Sequence, residues 1–455
     1  MTSVAIVGAG ITGLTAAFYL QTAGIPVKVY EASPRAGGVI QTERRDGFLV
    51  ERGPNTILES APEISKLVRE LELGDRCLYP APGMTARYVA RDGKVLALPR
   101  SLLSAAETPL LSMRAKLRVL GEPFVQRGRE DDEPLAGFVT RRLGRELLDY
   151  MIDPFVGGVY AGDPERLSVA YAFPKLHALE QKWGSLITGT ILGARGRKKR
   201  GGASKISARM LTFDDGLSVL VDALQARLKG ALQLGSAVTG VRCEGRGWTV
   251  ETSSGERTKH GAVMVCAPAH GIARMAIDGV ERESLSALGR VEYPPIARVA
   301  LGFRREQIAH ALDGFGALIP RKEQMSTLGI LFSSSMFPNR APEGYTMLTS
   351  YLGGARGGGV VDTNDCGLVE MALRDIRKLL GAEGAPVFSD VARIPMSIPQ
   401  YNVGYGAVKA AIERIETRAP GVFLASSYSH GISVADCIVG GKASADRVLR
   451  HVGGD

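Results

Sequence analysis

The stretch VAIVGAGITG, Val4–Gly13, sets Gly8, Gly10 and Gly13 in the spacing G-x-G-x-x-G directly behind a short apolar run. Each glycine has its own task in such a turn. The first permits the tight reversal, the second lets backbone approach a pyrophosphate, and the third lets helix and strand pack closely. Next, LTAAFYLQTAG reads as a helix closed by Gly24, and PVKVYEA as a second strand. A complete β-turn-α-β unit therefore fits in about 35 residues, the context that gives this glycine spacing its weight. The helix start offers N–H groups and a positive dipole end to a phosphate. Gly8, Ala9, Gly10, Ile11, Thr12 and Gly13 are the expected contacts.

Glu31 ends the second strand, 18 residues past Gly13. A carboxylate there accepts hydrogen bonds from an adenosine ribose and repels a 2′-phosphate, which disfavours NADP. The chain continues EASPRAGGVIQT, so Arg35, Gly37 and Gly38 complete E-x-x-x-R-x-G-G. Arg35 can reach or shield phosphate, and the two glycines let backbone approach a longer cofactor. A plain surface turn is the other reading.

Composition narrows the field. The 455 residues are room for about three domains. Hydrophobic and charged fractions of 45% and 23% are those of an ordinary globular protein. A net charge of +9 favours anionic partners or serves solubility alone. The five cysteines, Cys77, Cys243, Cys266, Cys366 and Cys437, form no C-x-x-C. That argues against a disulfide framework or zinc cluster and fits a reducing compartment, so no metal site is expected. No run approaches the roughly 18 apolar residues of a membrane span, and Val4–Val7 lacks the basic flank of a leader peptide. The expectation is a soluble protein, or one bound to a membrane from one side.

Residues 101–192 read as largely helical. In PLLSMRAKLRVLGEPF, Leu110, Met113, Leu117, Leu120 and Phe124 recur at helix spacing. This describes either a core-facing helix or one lying on a membrane. ARGRKKRGGASK, with Arg195, Arg197, Lys198, Lys199 and Arg200, reads as an exposed loop, either solvated or meeting anionic lipid. It has no interleaved aromatics, so nucleic acid is not an expected partner. TARYVARDGKVLALP reads as a hairpin turning at Asp92-Gly93, AVMVCAP as a further strand of the nucleotide sheet, and residues 290–360 as more strands.

The glycine motif, E-x-x-x-R-x-G-G and TFDDGLSVLVDAL resemble the amine-oxidase-like flavoproteins. Within that superfamily GPNTIL, DPFVGGVYAGDPERLSV, IPQYNVGY and GISVADCIVGGKASA resemble the FAD-dependent, oxygen-using protoporphyrinogen oxidases, from the first strand to the last helix. The resemblance implies an α/β fold with a discontinuous Rossmann-type FAD-binding domain (1–80, 211–289 and 391–455). It also implies a mainly-β substrate domain (81–100 and 290–390) and an α-helical membrane-associating domain (101–210). The implied reaction takes protoporphyrinogen IX to protoporphyrin IX in heme biosynthesis, by three hydride transfers to FAD with O2 as acceptor and H2O2 as product. Coproporphyrinogen III oxidation to coproporphyrin III, flavin amine oxidation and a non-catalytic flavoprotein are the rivals.

By the same resemblance FAD meets the glycine loop, Glu31, Ala32, Arg35, Gly37, Gly38, Gly53, Pro54, Asn55, Thr56, Val238, Ser427, Ile432, Ser433 and Val434. SVAD at 433–436 also has the form of a helix N-cap, which would aim a positive helix end at the flavin. Arg87 matches an arginine that anchors a propionate, against the plainer reading of a surface arginine. Phe315, Leu318, Leu328, Ile330 and Phe332 are candidate substrate walls, each also readable as strand core. Gly157-Gly158 is read as shaping the site. No acid or base is assigned; His430 is the lone candidate and reads better as a turn residue. The expected partners are a porphyrinogen, O2, an anionic membrane surface and a second copy of the chain, with the protein cytoplasmic at the inner face of the cell membrane.

Overall fold

The structure, a computed structural model, describes residues 3–99, 101–128, 130–198 and 208–453. Its organising element is a five-stranded sheet in the order Leu232–Gln233, Val27–Tyr30, Val4–Val7, Ala262–Val265, Val422–Leu424. All four pairings are parallel. Val4–Val7 and Ala262–Val265 are wholly buried, as parallel strands covered on both faces must be. On one face the helices Ile11–Thr22 and Val434–Gly453 pack Leu14, Leu20, Ala445 and Val448 around Ile6 and Met264. On the other face Val241, Trp248 and Val250, from a smaller sheet, meet Ala5 and Val263. Three of the four pairings join strands more than 150 residues apart in the chain, so the sheet is an α/β unit assembled from distant segments.

A second sheet has seven strands in the order Phe388–Ile394, Ile296–Arg304, Tyr345–Gly353, Thr327–Leu331, Gly314–Leu318, Ala86–Arg91, Lys94–Ala97. Pairing is antiparallel except between Gly314–Leu318 and Ala86–Arg91. The helix Asp365–Leu380 covers one face, seating Leu368, Ala372 and Ile376 on Val299, Leu301, Leu348 and Leu352. The other face meets Phe48 and Val50 through Ala300 and Met347.

Between Leu102 and Lys198 the chain is mostly helical, as read from its periodicity. A buried ion network holds this region. Arg142 pairs with Glu122 at 2.8 Å and Glu180 at 2.7 Å, with none of the three side chains more than 2% exposed. Glu122 also accepts from Ser185 Oγ and from the Leu186 and Ile187 N–H groups, capping the helix Leu186–Lys198. Ions so deep are tolerated only when paired and fully hydrogen-bonded.

Two expectations change here. The basic segment was expected as a loop, but the helix Leu186–Lys198 continues through Arg195, Gly196, Arg197 and Lys198. A capped start and the helix-favouring Ala194, Arg195, Arg197 and Lys198 carry it on despite Gly193 and Gly196. Lys199, Arg200 and residues 201–205 lie outside the described residues. The core-facing reading of the amphipathic helix is also overturned. Leu110 is buried, yet Met113, Leu117, Leu120 and Phe124 are 66%, 61%, 70% and 90% exposed. The helix Met113–Leu120 turns Ala115 inward and is held by its cations. Lys116 Nζ donates to the carbonyls of Ala106 and Thr108, and the Arg118 guanidinium to those of Arg141 and Arg142.

Candidate active site

Ligands of parallel α/β sheets bind outside the carboxyl ends of the strands. Three segments emerge there from neighbouring strands: Gly8–Gly10, Cys266–Pro268 and Ala425–Ser433. The glycines divide their work as their spacing implied. Gly8 has φ +104°, and a Cβ on Gly13 would lie 2.0 Å from the Gly8 carbonyl oxygen. A Cβ on Gly10 would meet nothing within 4 Å, so this side of the loop is open to a ligand.

Glu31 is oriented by two backbone donors. The Ala9 N–H reaches Oε2 at 2.7 Å and the Ser33 N–H reaches Oε1 at 2.8 Å. Each carboxylate oxygen keeps a further acceptor site for ribose hydroxyls. The Ser236 N–H donates to the Glu31 carbonyl, which brings Val238, two residues on, to the same edge. Ala32 follows Glu31 directly. Arg35 stands four residues past Glu31. Its guanidinium donates to the carbonyls of Ala36, Gly38 and Ile40, bracing its own loop. That loop lies on the glycine turn, with the Gly37 N–H donating to the Ala9 carbonyl and a Cβ on Gly38 falling 3.3 Å from Gly10 Cα. Gly53 packs so tightly that its Cβ would sit 1.9 Å from the Val39 carbonyl oxygen. The turn Gly53, Pro54, Asn55, Thr56 is thereby set beside the same loop. Asn55 Nδ2 then reaches the Tyr351 hydroxyl at 2.5 Å.

At the C-terminal side, Ser433 Oγ accepts from the Asp436 N–H at 3.0 Å and donates to its carboxylate at 2.7 Å. This caps the helix Val434–Gly453 as the SVAD pattern implied. A Cβ on Gly441 would fall 2.6 Å from the Thr12 carbonyl oxygen, so the two helices cross in close contact. Two helix starts thus converge on one edge of the sheet, flanked by Ser427 and Ile432. His430 takes the turn role, with Nδ1 2.7 Å from Ser429 Oγ and its ring filling the space a Gly440 Cβ would need.

Register separates the candidate substrate residues. Arg298, Tyr351, Gly329, Leu318 and Val89 are successive cross-strand partners, so they point to one face of the seven-stranded sheet. Arg87, two residues before Val89, shares that face. Arg87 is exposed, its guanidinium lies 5.3 Å from the Phe315 ring centroid, and it has no carboxylate partner among the described residues. Gly158 packs here on Leu318, and Asp153 of the same helix pairs with Arg356 at 2.8 Å and accepts the Arg321 N–H at 2.8 Å. Burial pushes the Asp153 carboxyl up despite these partners. Leu328 is buried. Ile330 and Phe332 point the other way, into the cluster under Asp365–Leu380, which is the strand-core alternative.

Sequence reasoning passed over Tyr351 and the trio Tyr401, Tyr405 and Lys409. The trio had a signal, a spacing of four and four within and after IPQYNVGY. Its partners are backbone carbonyls, which carry no sequence signature.

The Flavin containing amine oxidoreductase family matches residues 11–449. The chain belongs to this family. The mitochondrial protoporphyrinogen oxidase of Nicotiana tabacum is 34% identical over 99% of this chain and 95% of its own length. The coproporphyrinogen III oxidase of Bacillus subtilis (strain 168) is 31% identical over 99% and 98%. A crystal structure from Exiguobacterium sp. 255-15 superposes with TM-score 0.83 at 24% identity, covering 99% of both chains, and so shares the fold. As in the family, the cofactor is a flavin, FAD. The chain fits it: an open glycine loop for the pyrophosphate, an oriented carboxylate for the ribose, and a second helix start for the far end of the molecule.

Proposed function

We propose that this protein is an FAD-dependent porphyrinogen oxidase acting on protoporphyrinogen IX, with O2 as the electron acceptor. Arg87 carries the reading: an exposed cation without a carboxylate partner among the described residues, on the same sheet face as Leu318 and Tyr351. Tyr351 in turn holds Asn55 of the Gly53–Thr56 turn. This arrangement offers an anion anchor on the substrate side of a flavin cradle. Arg87 pairs a propionate, Phe315 holds the guanidinium by its ring face, and Leu318 supplies apolar wall. FAD, when bound, would supply the redox chemistry: hydride acceptance from the porphyrinogen and return of the electrons to O2, three times over for the six electrons. Glu31, the glycine loop, Gly53–Thr56, Val238 and the capped Ser433 turn hold the cofactor.

Coproporphyrinogen III is the second reading, favoured by the full-length likeness to the Bacillus subtilis enzyme. Relative kcat/KM on the two porphyrinogens decides between them. A porphyrin fluorescence that grows with either substrate and not with amines supports the class.

No described helix is long and apolar enough to cross a membrane. Met113, Leu117, Leu120 and Phe124 nonetheless face outward beside the exposed Arg114. We infer that this stripe rests on the anionic inner face of the cell membrane. A second copy of the chain is the competing occupant, and the two are told apart by vesicle sedimentation and by mass in solution.

A further inference from the structure

The turn before the helix Val434–Gly453 is held by a device that the reaction scheme above does not use. Tyr401 donates its hydroxyl to the Ser427 carbonyl. Tyr405 donates to the Tyr428 carbonyl at 2.5 Å, and Lys409 Nζ to the Ser429 carbonyl at 2.6 Å. Three donors spaced i, i+4 and i+8 thus take three consecutive carbonyls. Tyr401 and Tyr405 are 8% and 4% exposed, and their rings lie 4.6 Å apart. Each hydroxyl has one place to put its proton. Burial raises both phenols far above their ordinary value, so they remain protonated donors.

The segment that carries the clamp is itself fixed. The Ser168 N–H donates to the Tyr401 carbonyl at 2.8 Å, and the Val403 N–H to the Arg166 carbonyl at 2.9 Å. Gln400 Nε2 donates to the Tyr160 carbonyl at 2.8 Å, and Asp132 accepts the Gly404 N–H at 2.8 Å. The clamp is therefore anchored in the helical region and ends on the turn flanking the cofactor cradle.

We propose that Tyr401, Tyr405 and Lys409 are positioning residues that preorganise the Ser427–Ser429 turn against the flavin ring. The inference rests on the reading of that turn as flavin-facing. A turn whose carbonyls are all drawn to one side keeps its orientation before the cofactor arrives, so no reorganisation is needed on binding. Removing one donor frees the carbonyl it holds and lets the turn shift.

The test compares wild type with Tyr401→Phe, Tyr405→Phe and Lys409→Met, all reconstituted with FAD. Three quantities are read: the FAD dissociation rate, the flavin midpoint potential, and the melting temperature of each protein in its apo and FAD-loaded forms. Each variant is expected to release FAD roughly tenfold faster, with a shifted midpoint potential and apoprotein melting close to wild type. Lys409→Arg, which keeps a donor, restores the wild-type rate. Tyr79→Phe, whose hydroxyl bonds Glu59, serves as the control that changes neither. Unchanged release and potential overturn the proposal. So does an equal loss of melting temperature in apo and loaded forms, since that marks a purely structural clamp. Should the tyrosine variants fail to fold, the Lys409→Met and Lys409→Arg pair decides alone. A wild-type protein that binds no FAD refutes the flavin reading itself, a distinguishable outcome.

Discussion

Asn55 and Tyr351 join the two halves of the candidate site. The Asn55 amide donates to the Tyr351 hydroxyl at 2.5 Å, across 296 positions of chain. Asn55 sits on the turn beside the glycine loop, and Tyr351 on the sheet face shared with Arg87. Tyr351→Phe keeps the ring and removes only this link. The expected result is full FAD content with kcat lowered about five- to twentyfold, an effect of about 1–2 kcal/mol. Steady-state kinetics beside the flavin absorbance of the purified variant checks this.

In the proposed site Arg87 meets substrate and not cofactor. Arg87→Ala is expected to raise KM for the porphyrinogen roughly ten- to hundredfold, as loss of a charge-assisted hydrogen bond does, and to leave bound FAD unchanged. An unaltered KM removes Arg87 from the site.

In the proposed site Glu31 and Gly13 serve the cofactor rather than the substrate. Glu31→Ala removes the acceptor of the Ala9 N–H as well as that of the ribose. Gly13→Ala drives a methyl into the Gly8 carbonyl oxygen, 2.0 Å away, so the loop has to open. Both variants should purify largely colourless while remaining folded. Flavin-to-protein absorbance ratio and circular dichroism measure the two properties separately.

The part of the fold legible in the sequence is the part set by short-range pattern. The β-turn-α-β unit from Val4 to Tyr30 needed only glycine spacing and a run of apolar residues. The Ser433 cap was legible for the same reason. The outward turn of Met113, Leu117, Leu120 and Phe124 was not, because periodicity marks a stripe without saying which side meets the protein. Arg118 and Lys116 settle that by bonding distant carbonyls. Arg35 likewise spends its donors on neighbouring carbonyls, and Ile330 and Phe332 fall on the covered face because strand register is a property of pairs of strands.

The apolar stripe gives a separate prediction. Leu117→Ser with Phe124→Ser should abolish sedimentation with anionic vesicles and leave turnover of dissolved porphyrinogen near wild type. Both side chains are more than 60% exposed, so folding stability should change little.

His260 predicts an acid limit. It is buried between Tyr30 and Ser3, each 2.9 Å from a ring nitrogen, and burial lowers its pKa to about 4. The folded state therefore binds this proton more weakly than the unfolded chain does. Stability from this residue is complete above about pH 6.5 and is lost as pH falls towards 4, by up to about 3 kcal/mol. Urea unfolding across that window should fall more steeply for wild type than for His260→Gln.

The most direct test of the central claim is anaerobic addition of protoporphyrinogen IX to the purified, FAD-loaded protein, followed by air. The expected result is loss of the oxidised flavin's visible absorption, its return with O2, and a fluorescent porphyrin as product. A flavin spectrum unmoved by either protoporphyrinogen IX or coproporphyrinogen III would contradict it.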